Sequence, residues 1–489
     1  MYNKTGHHIL LLFITLIMLG ACSGGETGTG VVADQNTTFS VGRVTSLDNV
    51  RVNGVAYFID QATFSFDDVN GSVTDLEVGM VVAIQGLINE DKLTGEASHI
   101  EYRDVLEAIV LDTTINNDGV GTLNVVGQTV IVDTLTTFDS SVQDVSLINQ
   151  IIKGNVVEVS GFTSGDGTIY AKRVDVKAQL YTAGNEIELK GIVSDLNTNS
   201  FSLGQLIVDY SSAQMSDFPP EGIVDGQFIQ VKSIEGLGVE GRLIASIIKL
   251  ESEGDINIKL EEGVNIHLEG VVTTFVKPQE EFILNGQLIK VTSETRMLNG
   301  DTGDIVETST LIVEGAINTN GIIVADTILF VGIVDISMDA YVESVDVENN
   351  TLVVLGQTVL VNNFTTMKDR RDKNGFVAVR DFTIGDIEVG NRVSIDIEEL
   401  TSKNYVASKL ERKDIKNTDV KLEGRLDMFD INSLSVAGVD VDTSFVGLTS
   451  EEILPGDLVR VKGTYDTVIR ILTATDVSKR NCKRSWICF

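Results

Sequence analysis

From about residue 39 to residue 480, apolar and polar positions alternate with a period of two. In LVRVKG (458–463), Val459 and Val461 face one way while Arg460 and Lys462 face the other, as a half-buried strand requires. Val, Ile and Thr are abundant, and no stretch past the leader sustains a helical apolar period over several turns. The pattern predicts strands throughout.

Those strands recur in a fixed order. A strand entered through Gly and usually left through Gly reads VGMVVAIQG (78–86), KGNVVEVSG (153–161), DGQFIQVKS (225–233), ETSTLIVEG (307–315), VGNRVSIDI (389–397) and PGDLVRVKG (455–463). Copy three lacks the final Gly, with Ser233 in its place, and copy four lacks the entry Gly, with Ser309 there. Upstream of each copy lies a hairpin centred on Gly54, Gly127, Gly204, Gly286, Gly356 or Gly438, at intervals of 73, 77, 82, 70 and 82 residues. Downstream comes Ala-x-x-aliphatic, from Ala97/Ile100 to Ala474/Val477, and a further strand such as LKGIVSDL precedes each hairpin.

This order predicts three strands, a variable insert, then two strands. It is the order of an OB-like Greek-key barrel, and its insert has room for a short helical turn, as in TSEEILPG (449–456). The expected architecture is all-β: a tandem array of about six small OB-like five-stranded β-barrels. Their bounds are 39–104, 105–178, 185–253, 264–333, 339–414 and 418–480, segments 1 to 6. A repeat near 77 residues exceeds the roughly 20–50 of solenoids. A barrel of that size is marginal alone, so packing between neighbours is expected.

The leader breaks the pattern. Residues 9–19 (ILLLFITLIML) are eleven in a row with only Thr15 polar, which suits a signal peptide (1–21) rather than the roughly 20 residues of a span. Leu19-Gly20-Ala21-Cys22 resembles the lipobox of bacterial lipoproteins. That resemblance implies lipidation of the Cys22 sulfur, cleavage before it and acylation of the new amine, and several acyl chains anchor stably. Ser23 in place of Asp implies, by analogy with enterobacterial sorting, the outer membrane. Residues 22–38, rich in Gly, Ser and Thr, read as a flexible tether reaching roughly 20 Å. Together with the repeats, the chain resembles bacterial lipoproteins bearing tandem copies of the domain of unknown function 5666 (DUF5666), over about residues 39–480. The family brings no established activity.

Composition narrows the partners. The 489 residues carry a formal charge of −34. From Cys22 to Met338 there are 16 basic and 46 acidic residues; from Asp339 onward, 20 and 25. Such a surface repels nucleic acid, whose binding draws on Lys and Arg. It suits solubility or the attraction of divalent cations. Aromatic residues make up 6%, with one Trp486, few for the stacking platforms by which OB-like barrels grip single strands or glycans.

Catalytic motifs fail on context. GLGVEG (236–241) has the spacing of a dinucleotide loop but precedes a strand, not a helix. Ser246 and Lys249 match S-x-x-K on a strand, where i and i+3 point apart. RRDKNGFVAVRD (370–381) lacks the acid at the first and the Glu at the twelfth position of an EF-hand loop. The turns at 116–121 and 298–304 are weaker cation candidates. After the leader only His99 and His267 remain, and the repeats hold no Cys, too few ligands for zinc.

The expectation is therefore no enzyme, no catalytic residue, no cofactor and no metal site. The partners expected are the membrane, through the Cys22 lipid, and an unidentified protein or glycan. Segment 5 has the longest insert, MKDRRDKNG, which offers Lys368, Arg370, Arg371 and Lys373 as an interaction loop. The basic tail (481–489) places Cys482 and Cys488 as candidates for a small disulfide ring, against free or intermolecular thiols.

Overall fold

A computed structural model of the protein describes residues 37–480 apart from 68, 116–119, 143–144, 165–166, 252–261, 278–279, 333, 372–376, 402–403, 416–417, 431 and 447–452. Alternating side chains become alternating burial: along Ile336–Asp346 every second residue from Ile336 to Val342 is buried. Segment 6 shows the circuit most simply. Val420–Asp430 pairs with Ser433–Val436, that with Val439–Asp442, that in parallel with Ile471–Lys479, that with Leu458–Asp466, and that back onto Val420–Asp430. The strand order 1-2-3-5-4-1 is a closed OB-like barrel. Closure leaves no strand edge open within the ring. Segments 1, 2, 4 and 5 close by the same pairings. In segment 3 the last strand is broken into Leu243–Ile244 and Ile247–Leu250.

The repeated landmarks now have causes. The hairpin glycines take φ between +56° and +91°, and Asn53, Val126, Asn285, Leu355 and Ala437 before them are also left-handed, as a two-residue turn with right-handed strand twist demands. The second Gly does not end its strand. Val81–Ile88 and Val156–Thr163 run on past Gly86 and Gly161, which sit at bulges opposite Ala97 and Ala171. A Cβ on Gly161 would stand 2.3 Å from the Tyr170 carbonyl oxygen, so the small pair Gly–Ala is what lets the strands approach. At the entry, the N–H of Gly79, Gly154, Gly226, Gly390 and Gly456 donates to a carbonyl of the first strand at 2.8–2.9 Å. In segment 4 this residue is Thr308, with φ +78°, and not its neighbour Ser309.

The insert holds more than a turn. It adds a short strand parallel to the last one: Thr63–Phe66, Thr137–Ser140, Gln214–Ser216, Arg296–Leu298 and Thr366–Asp369. Single 3₁₀ turns follow at Val73–Asp75, Ile148–Gln150 and Ile384–Asp386. In two of them a carboxylate three residues on accepts the leading N–H, Ser72 to Asp75 at 2.9 Å and Thr383 to Asp386 at 2.8 Å.

Packing between segments is extensive, and the first strands make it. Leu106–Ile115 of segment 2 pairs antiparallel with Ile187–Ser194 of segment 3, and Ile336–Asp346 of segment 5 with Val420–Asp430 of segment 6. Each of these pairs shares one merged apolar core. Segment 1 reaches past its neighbours: Thr38–Val41 runs parallel to Asn265–Leu268 of segment 4. Across that seam Glu269 accepts the Arg43 N–H at 2.9 Å and faces its guanidinium at 3.2 Å, both side chains buried. The Asn53 amide donates to the Val41 and His267 carbonyls, each at 2.8 Å.

Candidate functional site

Cys22, Lys373, Cys482 and Cys488 lie outside the described residues. The rest of the segment 5 insert is occupied by the chain itself. Lys368, on Thr366–Asp369, donates to Asp139 at 2.7 Å and points at the Phe138 carbonyl of segment 2. Arg370 donates to the Phe138 carbonyl at 2.8 Å and to that of Val145, and Arg371 turns back to Asp369. Lys409 adds donors to the Thr134 and Thr136 carbonyls. The stretch read as a loop offered to a partner is, at these residues, an internal clamp. Backbone carbonyls at the rim of segment 2 need donors, and long cationic side chains supply them.

One carboxylate there is shared by two cations. Burial works to raise Asp139, but Lys368 and Arg173 outweigh it and hold the group well below the carboxylate range. Burial and the neighbouring Arg173 in turn lower the Lys368 ammonium to about 8, against the pull of Asp139.

The other sequence candidates resolve into structure. In 298–304 the Asp301 and Asp304 carboxylates accept N–H groups of their own turn, at 2.7 and 2.9 Å. The glycines of 236–241 lead into the strand Leu243–Ile244. Ser246 accepts the Ile234 N–H, whereas Lys249 pairs with Glu251. His267 is half-buried, and loss of solvent around its ring lowers it to about 4. His99 bonds to Thr63.

The site the structure does build is a cleft of about 560 Å³ between segments 1 and 2. One wall is the hairpin Thr63–Phe66/Val69–Gly71 with the 3₁₀ turn behind it; the other is formed by Thr137–Ser140, Val156–Thr163 and Ile169–Ala178. Asp67, Asp75, Glu77, Asp139, Glu158 and Asp175 line it against Arg173 and Lys177. Tyr102 stacks obliquely on Phe66 at 5.8 Å and donates to Glu158 at 2.7 Å. Burial tends to raise Glu158, yet Lys177 at 2.9 Å and the Tyr102 hydroxyl leave it below its ordinary value. For Asp175 burial prevails over Arg173 and Lys177, and its value is raised.

Behind the cleft the three segments 1, 2 and 3 meet in a buried ionic knot. Glu107 faces Glu158 on one neighbouring strand and Glu188 on the other. Burial, then Glu158, lift Glu107 to about 7 despite Lys177. Asp67, Asp104 and Glu188 converge closely enough to hold a cation. The cation present is the Lys190 ammonium, 3.2 Å from Asp104, 3.4 Å from Glu188 and 3.9 Å from Asp67. Sequence reasoning missed both features. Their residues come from separate segments, and in so acidic a chain no single carboxylate stands out.

Among the described residues no helix is long and apolar enough to cross a membrane. Fold and site together define a class: a tandem array of small β-barrels fused through their first strands. The family model for the domain of unknown function DUF5666 matches residues 41–101, 113–175, 269–328 and 340–411, more than half of the chain, and the chain belongs to that family. The four matches fall on segments 1, 2, 4 and 5. No curated protein matches the chain.

Proposed function

We propose that the chain is a lipid-anchored, non-catalytic protein of the outer membrane that presents its barrels as a scaffold for a protein or glycan partner. The observation that carries this reading is the joining of segments through first-strand ladders and merged cores. Such joints fix the spacing of repeated loops, which a string of independent barrels would not. The anchor rests on Leu19-Gly20-Ala21-Cys22 and the tether after it. Feeding cells a clickable palmitate analogue tests it: wild type is labelled and membrane-bound, and Cys22→Ala is neither. A membrane-bound, unlabelled Cys22→Ala chain sinks the anchor.

The cleft between segments 1 and 2 favours a second reading, the holding of a divalent or organic cation, because carboxylates outnumber cations along its walls. Calorimetry of the whole mature chain with calcium separates the two. Heat that disappears in Asp67→Asn supports the cation reading, and no heat and no thermal shift at millimolar calcium ends it.

A further inference from the structure

Asp104 lies in the link between Thr94–Tyr102, the last strand of segment 1, and Leu106–Ile115, the first of segment 2. Lys190 and Glu188 lie two apart on Ile187–Ser194 of segment 3, and so share one face of that strand. The pairing of Glu188 with Glu107 and of Leu189 with Leu106 holds the two chain segments in register. Lys190 Nζ sits 3.2 Å from Asp104 Oδ1, 3.4 Å from Glu188 Oε1 and 2.5 Å from the Asp104 carbonyl oxygen. All three side chains are buried, exposing 4, 5 and 7% of their surface.

We propose that Lys190 and Asp104 condense into an intramolecular amide, with Glu188 moving the proton. The reaction balances without an oxidant or a co-reactant. Proton transfer within the pair converts ammonium and carboxylate into amine and carboxylic acid. Nζ then attacks Cγ, and the Nζ–Cγ bond forms. The Glu188 carboxylate takes a proton from that nitrogen and returns it to the departing Asp104 hydroxyl. The Cγ–O bond breaks, one water leaves, and Glu188 ends as it began.

The surroundings set each group in the form the step needs. Burial pushes Asp104 well above its ordinary value; Lys190 opposes this, but Glu188, Asp67 and Glu158 reinforce it. That direction eases the proton transfer within the pair, and the neutral carboxyl it gives is an electrophile where a carboxylate is not. Burial also tends to raise Glu188, yet Lys190, Lys232 and Gln230 together bring it below its ordinary value, so it stands ready as the base. A second lysine–aspartate contact between segments, Lys368 with Asp139, lacks this arrangement. Arg173, 3.1 Å from Asp139, keeps that carboxylate charged, and the contact stays an ion pair.

Such an amide ties the segment 1–2 link to segment 3 by a covalent bond in a region with no cysteine. Tryptic mapping of the denatured full-length chain tests it. The expected product is a branched peptide joining 104–153 to 178–232, lighter than their sum by one water and uncut at Lys190. Asp104→Ala and Glu188→Gln should each give only linear peptides, with circular dichroism reporting that the barrels persist. Recovery of both linear peptides, and no branched one, from wild type overturns the proposal. A branched peptide surviving in a folded Glu188→Gln chain overturns the role of Glu188. If a variant fails to fold, the wild-type map alone decides.

Discussion

Replacing Glu107 by Gln should stabilise the protein at neutral and alkaline pH, although Glu107 sits in the ionic knot joining segments 1 to 3. Its flanking residues in the ladder, Glu158 and Glu188, are themselves acids, and like charges directly opposite are unfavourable. Burial and Glu158 raise the carboxyl from its ordinary 4.5 to about 7. A group raised on folding contributes stability fully below its unfolded value and loses it as pH climbs through the folded one. The window is therefore 4.5 to about 7. Fully buried, such a change is worth roughly 3 kcal/mol, and water reaching this half-buried side chain reduces it to about 1–2 kcal/mol. Gln keeps the shape and hydrogen-bonding capacity and never ionises. Urea unfolding of wild type and Glu107→Gln at about pH 8 and about pH 4.5 reads the effect as a difference in midpoint. The variant should be the more stable by about 1–2 kcal/mol at the higher pH and equal at the lower. A Gln variant weaker than wild type at pH 8, or a difference independent of pH, refutes the reasoning.

Three further outcomes follow from the seams and bulges. Asn53→Ala removes both amide bonds to the Val41 and His267 carbonyls and should cost about 1–3 kcal/mol, measured by thermal melts. Glu269→Gln leaves Arg43 buried without its counter-charge and should cost about 3–5 kcal/mol; adding Arg43→Met should recover part of that loss, and a strictly additive double mutant would deny the coupling. Gly161→Val drives a side chain into the Tyr170 carbonyl and should cost roughly 3 kcal/mol or more, so a soluble variant with an unchanged melt would disprove the close approach.

What the sequence made legible was local. Val459 and Val461 against Arg460 and Lys462 foretold a one-sided strand, and the recurring Gly and Ala marked real turns and contacts. Their meaning still shifted. Gly161 proved to be a bulge inside its strand, facing Ala171, because residue type records that space is short and not which backbone takes it. The insert strands were missed because four-residue stretches such as Thr366–Asp369 carry too little periodicity to read. The cleft and the knot were illegible for another reason. Asp67, Asp104, Glu158 and Glu188 are surface-type residues in sequence, and only strand pairing between segments buries them together. Lys368 and Arg370 were visible as charge, but their partners, the carbonyls of Phe138 and Val145, have no signature at all.

The ladder between Thr38–Val41 and Asn265–Leu268 also imposes a timetable. Segments 2 and 3, or 5 and 6, can zip together as soon as the second of each is made. Segment 1 must wait for segment 4, some 230 residues later, which at about 5–20 residues per second is roughly 10–50 s of synthesis. Throughout that interval its first strand presents an unpaired outer edge to any other chain nearby. The joint nearest the N-terminus is therefore the one that waits longest for its partner, and slow closure of this sequence-distant contact is where assembly is most exposed to error.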